Sequence, residues 1–475
     1  MSASSKMQKE KESTTSAAAV PAWLSQILQD KAPGPKIYRW TPDDVAGSSG
    51  AAPQRKKRAP ADTNRIFIVG MGNLGRLFAA SLARLPDQPP ITLVVHRPGL
   101  LEQWRAQPGV VLHPQGYVEG AASSKDVRIA DFDIEMWSET PPPPPPLQDA
   151  AAAGDAEIPP IANLIIATKA QDALRTAEWV RRYLAPDAAV AFAQNGMNKL
   201  WPPYGALYNE ARYADRKRPP LWLACIVTHG VYSVGPFASV HAAPADVVLG
   251  SVDGSISSSS GPGGNEAYLV QQILAASQLK ARWAPRHELW VLQLEKLVVN
   301  AVINPLTAIL RCKNGALFVA DDALNSAVLP RVIDQLLQEA SAVLRALAQH
   351  EIQTGSIFAD AASTVEAEAD ASAALAERLS FASLRAMVYR VGELVKDNSS
   401  SMFQDAQAGK KTEVGEFNGW IVDMARYLES VGATDGKTLD VAAHQIMVDL
   451  VEKAVPLTQE ELGTHFFSRS VRLDL

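Results

Sequence analysis

Short, nearly continuous apolar runs fall at 65–69, 91–95, 163–167, 189–193 and 221–228. Runs of that length, rich in Val, Ile and Leu, predict strands buried on both faces. Helical patterning occupies 77–85, and helix with short strands is expected between 95 and 130. Strands alternating with helices predict an α/β fold on a parallel sheet. Beyond about Trp283 the period becomes helical, with long stretches at 289–310, 325–349, 374–396 and 414–431. The expected organisation is an α/β domain over 63–282, followed by an all-α domain over 283–475.

Other segments break these periods. Residues 1–62 are dominated by Ser, Lys, Glu, Ala and Pro and predict a disordered extension, with the apolar stretch 22–28 as a candidate docking helix. Arg55, Lys56, Lys57 and Arg58 read as a solvated linker in preference to a nuclear signal. No apolar core follows the start, so no secretory signal is expected. Six prolines at 141–146, followed by an Ala-rich acidic stretch, predict a surface insertion near 138–160. Proline lacks the N–H that a helix or central strand needs. Residues 204–219 read as a long loop and 254–264 as a Ser/Gly loop.

Composition narrows the function classes. Lys+Arg 45 against Asp+Glu 51 leaves a net charge of −6, so no nucleic-acid partner is expected. Hydrophobic residues at 47% suffice for a sizeable core. No uninterrupted apolar run predicts a membrane span. Two cysteines, Cys225 and Cys312, exclude a disulfide framework and a Cys-rich zinc site. No metal is expected. A reducing compartment fits, cytoplasmic in the first instance and mitochondrial as the alternative.

The first strand runs straight into Gly70-Met71-Gly72-Asn73-Leu74-Gly75, a GxGxxG turn that opens a helix. In such a turn the first glycine allows the tight bend and the second lets backbone approach a pyrophosphate. The third lets helix and strand pack closely. The pyrophosphate then sits at the positive end of the helix. Strand, glycine turn, helix and second strand in this order predict a Rossmann-type dinucleotide-binding domain. The second strand ends in Val95-His96-Arg97-Pro98, without the Asp or Glu that would accept from a ribose 2′-OH. Arg97 is therefore the candidate reader of a 2′-phosphate, and NADP(H) the expected cofactor.

Lys296, Asn300 and Asn304 recur at a spacing of four, which stacks three polar groups on one helix face. The residues between them are Leu, Val, Ile and Ala. A polar stripe on a buried helix is costly unless it finds partners or serves a site.

The stretch from Lys296 through Asn300, Asn304 and Pro305 to Ala308 resembles the signature of ketopantoate (2-dehydropantoate 2-) reductases. Gln194-Asn195-Gly196-Met197 resembles the same family's Asn-Gly-Met turn. Ile166-Ala167-Thr168-Lys169-Ala170 resembles its strand-end lysine segment. Ser400-Ser401-Met402-Phe403-Gln404-Asp405, then Lys411-Thr412-Glu413 and Asn418-Gly419, complete the set in the family's order. The resemblance implies a Rossmann domain joined to a helical domain, and NADPH-dependent reduction of ketopantoate to pantoate on the way to pantothenate and coenzyme A. It implies Lys296 as general acid and Glu413 as the residue that orients it or bonds the substrate. Asn300, Asn304 and Ser401 would hold the substrate's carboxylate and hydroxyl. Asn195 would stand between nicotinamide and substrate, and Lys169 near the cofactor ribose or phosphates. His229, at a strand end, reads as a turn or supporting histidine. The N-terminal extension and the proline insertion resemble fungal-type elaborations and leave monomer and homodimer both open. Two other readings stay open: a reductase of another branched 2-keto acid, and a catalytically silent relative acting as an adaptor in mitochondrial gene expression.

Overall fold

The computed structural model describes residues 20–45, 63–118, 128–142, 157–215, 218–253, 267–318, 328–355, 357–358 and 365–467. The basic run 55–58, most of the proline insertion and the 254–264 loop lie outside these residues. The described chain divides into two compact units. One spans Asp30–Trp290; the other comprises Val291 onward together with residues 20–29. The division falls a little beyond the 282/283 boundary expected.

The α/β unit is built on a nine-stranded sheet. Its central strands are β2 (Ile66–Val69), β3 (Ile91–Val95), β6 (Asp133–Ser138), β7 (Ile161–Ile166), β8 (Leu184–Ala193) and β9 (Leu221–Val227). They lie in the order β6-β3-β2-β7-β8-β9, all parallel. That is the doubly wound order in which the strand sequence reverses direction beside the first strand, and ligands bind outside the carboxyl ends there. β1 (Tyr38–Trp40) adds an antiparallel strand at one edge. At the other edge β12 (Val247–Ser251) runs antiparallel to β9 and β13 (Ala281–Trp283) runs parallel to β12. The sheet is thus mixed at its margins, where only a parallel sheet was expected. A second, four-stranded sheet joins β4 (Val110–His113), β5 (Arg128–Ile129), β10 (Gly230–Gly235) and β11 (Ala238–Ala243).

The helices of this unit are α2 (Asn73–Leu82), α3 (Pro98–Ala106), α4 (Ala170–Val180), α5 (Tyr204–Tyr213) and α6 (Tyr268–Ala275). α2 buries Leu77, Phe78 and Leu82 in a core shared with Ile66, Ile68, Leu93 and Leu223. Each such side chain contributes about 1.5–3 kcal/mol by leaving water.

Two segments differ from what the sequence predicts. Disorder through residue 62 does not hold for residues 20–45. α1 (Ala22–Gln29) forms there, and β1 pairs with β6. The hydroxyl of Tyr183 accepts from Ile37 N at 2.8 Å and donates to Glu157 at 2.7 Å, while Trp40 Nε1 donates to the Thr140 carbonyl. Long-range partners of this kind leave no local signature. The expected loop over 204–219 begins as α5, because Tyr208 and Tyr213 pack edge-on against Trp222.

The helical unit contains α7 (Arg286–Leu310, whose first residues belong to the α/β unit), α8 (Val328–Thr354), α9 (Val365–Arg378), α10 (Phe381–Leu394), α11 (Ser401–Gln407), α12 (Val414–Ser430), α13 (Ala442–Lys453) and α14 (Gln459–Phe467). α7 is long and apolar enough to cross a bilayer, yet 72% of its most apolar window is buried in the protein, the burial of a core helix. The single helix expected over 374–396 is two. Ser380 caps α10 by accepting from Ser383 N at 3.2 Å, and Ser341 Oγ takes the Leu379 carbonyl at 2.8 Å. A serine that satisfies the first turn of a new helix ends the old one.

Candidate active site

The glycine turn follows β2 directly. Gly70 has φ +96°, and a Cβ there would lie 2.7 Å from the Ala167 backbone at the end of β7. Only glycine fits that turn without strain. A Cβ on Gly75 would overlap the Gly70 carbonyl oxygen, whereas a Cβ on Gly72 meets nothing within 4 Å. Two glycines are therefore demanded by packing, and the middle one opens on space beside the start of α2. Gly72 occupies the N-cap of α2 and makes no side-chain cap bond. The first-turn N–H groups of such a helix are left for an anionic ligand. A dinucleotide's pyrophosphate fits this cradle.

The other candidates of this unit lie at the same carboxyl edge. Arg97 is exposed at the N-cap of α3, just after β3. Lys169 is the N-cap of α4, just after β7. Asn195 follows β8 and is half-buried, with Gly196 at φ +76°. β3, β2, β7 and β8 are consecutive neighbours, so Arg97, the glycine turn with Met71, Asn73 and Leu74, Lys169 and Asn195 all stand on the edge where the strand order reverses.

Arg76 was not foreseen. Its guanidinium is buried in the first turns of α2, and burial lowers its pKa to about 10. Nε donates to the Met71 carbonyl at 3.0 Å. One terminal nitrogen donates to the Ala238 carbonyl at 2.7 Å and to the hydroxyls of Ser233 and Ser239. Ser239 in turn donates to Asn73 Oδ1 at 3.1 Å. Arg76 thus braces the glycine turn against the second sheet. His229 is buried just beyond the end of β9. Its Nε2 donates to the Leu279 carbonyl, and its Nδ1 accepts from Ala245 N and lies 2.9 Å from His241 Nε2.

In the helical unit, Lys296, Asn300 and Asn304 share one face of α7, about 12 Å from first to last at 1.5 Å per residue. Lys296 and Asn300 are half-buried and Asn304 is buried. The amide nitrogen of Asn300 is buried without a hydrogen-bond partner among the described residues. Glu295, beside Lys296, is held by Arg378 in a two-bond pair at 2.6 and 2.8 Å. Glu413 is buried at the N-cap of α12.

Ser401 is exposed at the first position of α11, and its neighbour Ser400 is the buried N-cap. Ser400 Oγ accepts from Phe403 N at 3.0 Å and lies 2.7 Å from Thr307 Oγ1 of α7. The stripe on α7 is thereby tied to the segment that carries Ser401. Among the described residues no three His, Cys, Asp or Glu side chains gather as a metal site.

A doubly wound sheet with a glycine turn at its reversal point, joined to a helical unit bearing a Lys-Asn-Asn stripe, defines the class. The family model described as ketopantoate reductase PanE/ApbA matches residues 66–254, and its C-terminal counterpart matches 288–431. The chain belongs to this family of 2-keto acid reductases, oxidoreductases acting on CH–OH groups. It is 39% identical to a ketoisovalerate reductase of Beauveria bassiana, over 93% of this chain and 98% of that one. It is 25% identical to a probable 2-dehydropantoate 2-reductase of Schizosaccharomyces pombe, over 79% and 94%. A solved D-mandelate dehydrogenase shares the fold, with a TM-score of 0.52 and 15% identity over 82% of this chain and 98% of the other.

Proposed function

We propose that this chain reduces 2-ketoisovalerate to 2-hydroxyisovalerate with NADPH. The observation that carries this reading is the 39% identity to a ketoisovalerate reductase over nearly the whole of both chains. The reductase named for dehydropantoate is more distant and covers less of this chain. The two keto acids share a 2-keto carboxylate and a branched third carbon; ketopantoate adds a hydroxymethyl group. A pocket built to bond that hydroxyl rejects the substrate lacking it by orders of magnitude, while an apolar pocket discriminates weakly. Initial rates with each keto acid test the choice. The expected result is kcat/KM about tenfold or more in favour of 2-ketoisovalerate. The opposite order overturns the choice in favour of ketopantoate and keeps the mechanism.

The cofactor, when bound, supplies the hydride. The chain's own groups do the rest. Lys296 holds its ammonium at the keto oxygen, stabilises the charge that grows there and gives up the proton. The amide nitrogen of Asn300, which has no partner among the described residues, bonds the substrate carboxylate together with Asn304 and Ser401. Glu413 orients Lys296, and Asn195 aligns the keto carbon. Gly70 to Gly75 and Lys169 hold the dinucleotide.

Arg97 reads the 2′-phosphate, since β3 ends without an acid and Arg97 is exposed there. Arg97→Ala is expected to raise KM for NADPH about tenfold or more and leave KM for NADH nearly unchanged. An unaltered preference in steady-state kinetics removes Arg97 from the cofactor site.

A further inference from the structure

α7 contains a proline. Pro305 lies inside the helix and has no N–H, so the Ala301 carbonyl lacks the helix bond it would otherwise accept; a proline ring also crowds the carbonyl four residues before it. The vacated carbonyl is not left bare. Asn418 of α12, fully buried, donates to it from Nδ2 at 2.9 Å. The same Nδ2 lies 3.1 Å from His444 Nδ1, and His444 Nε2 lies 3.0 Å from the Leu336 carbonyl. A carbonyl only accepts, so His444 carries its proton on Nε2 and its Nδ1 is an acceptor. That fixes the orientation of the Asn418 amide. Burial keeps the imidazole neutral, with a pKa lowered to about 4. Glu339 completes the arrangement by accepting from Ala443 N and His444 N at the start of α13.

The position of this bond gives it a consequence. Ala301 follows Asn300 directly, and Pro305 follows Asn304. Asn418 lies five residues after Glu413, about 7.5 Å along α12. One buried amide therefore joins the middle of the Lys296-Asn300-Asn304 stripe to the helix whose N-cap position Glu413 occupies. We propose that Asn418 is a positioning residue of the reductase site, setting the helix that bears Lys296 in register with the helix that begins directly after Glu413. The inference rests on the reading of these residues given under the proposed function. A bond that only repaired α7 would be dispensable once the missing N–H was restored; a bond that sets the register is not.

Pro305→Ala restores that N–H and separates the two roles. Three full-length variants are compared with the unaltered protein: Pro305→Ala, Asn418→Ala and the double variant. Melting temperature, kcat and KM for 2-ketoisovalerate, and the pH profile of kcat are measured with saturating NADPH. Pro305→Ala alone is expected to stay near the unaltered kcat. Asn418→Ala is expected to lower both melting temperature and kcat, the latter about 10–100-fold, with a smaller change in KM and a displaced alkaline limb. In the double variant the melting temperature recovers and kcat stays low. If Asn418→Ala alone does not fold, the double variant against Pro305→Ala carries the comparison. Recovery of kcat together with stability overturns the proposal, as does an unchanged kcat and pH profile in Asn418→Ala. An unaltered protein that turns over no 2-keto acid refutes the reductase reading itself and takes this inference with it.

Discussion

Lys296→Ala is expected to lower turnover by about 10³-fold or more while NADPH affinity stays within about twofold. The magnitude follows from two lost contributions. A positioned general acid is worth about 10²–10⁴-fold. A cation at the developing alkoxide contributes a further term of the kind measured for oxyanion donors. The selectivity follows from where the groups lie. Lys296 belongs to the helical unit, and the glycine turn belongs to the α/β unit. Single-turnover NADPH oxidation reads the first quantity and a fluorescence titration the second. Turnover at the unaltered rate removes Lys296 from the chemistry.

Gly75→Ala is expected to lower dinucleotide affinity about 100-fold or more and to lower the melting temperature by several degrees. The new Cβ would overlap the Gly70 carbonyl oxygen, which is backbone and has no flexible end to move aside. Relief requires α2 to shift away from β2 and carries the orphan N–H groups of its first turn with it. Gly72→Ala is the informative contrast. Nothing within the protein opposes that Cβ, so stability should be unchanged while affinity still falls, because the added methyl stands where the pyrophosphate approaches. An affinity for NADPH equal to that of the unaltered protein in Gly72→Ala means the middle glycine faces something else.

These elements differ in how far the sequence reveals them. The glycine turn was legible because its requirement is local: three glycines at fixed spacing after an apolar run have few other uses. The α7 stripe was legible for the same reason, since a spacing of four on an apolar helix exposes itself. Arg76 was not, because nothing in its neighbours says that its partners will be Ser233, Ala238 and Ser239 on a second sheet. The antiparallel margins of the main sheet, and β1 within an extension read as disordered, escaped by the same route. Edge strands are short and their partners are distant in sequence. The break between α9 and α10 hides in a single serine whose capping bond competes with a good helical period.

Asn418 is an intermediate case. Pro305 inside an apolar helix announces that one carbonyl needs another donor, but only the fold shows which side chain provides it. The substrate is less legible still. In the proposed mechanism ketopantoate and 2-ketoisovalerate use the same lysine, the same glycine turn and the same carboxylate donors. Whole-chain similarity, and no single motif, favours the second.

As a 2-keto acid reductase, this chain is expected to run its chemistry through the Lys296 stripe. The most direct measurement mixes the full-length protein with NADPH and 2-ketoisovalerate, and follows absorbance at 340 nm alongside chromatographic detection of 2-hydroxyisovalerate. NADPH loss and hydroxy acid formation are expected in equal amounts. Tight NADPH binding with neither 2-ketoisovalerate nor ketopantoate reduced would contradict that expectation.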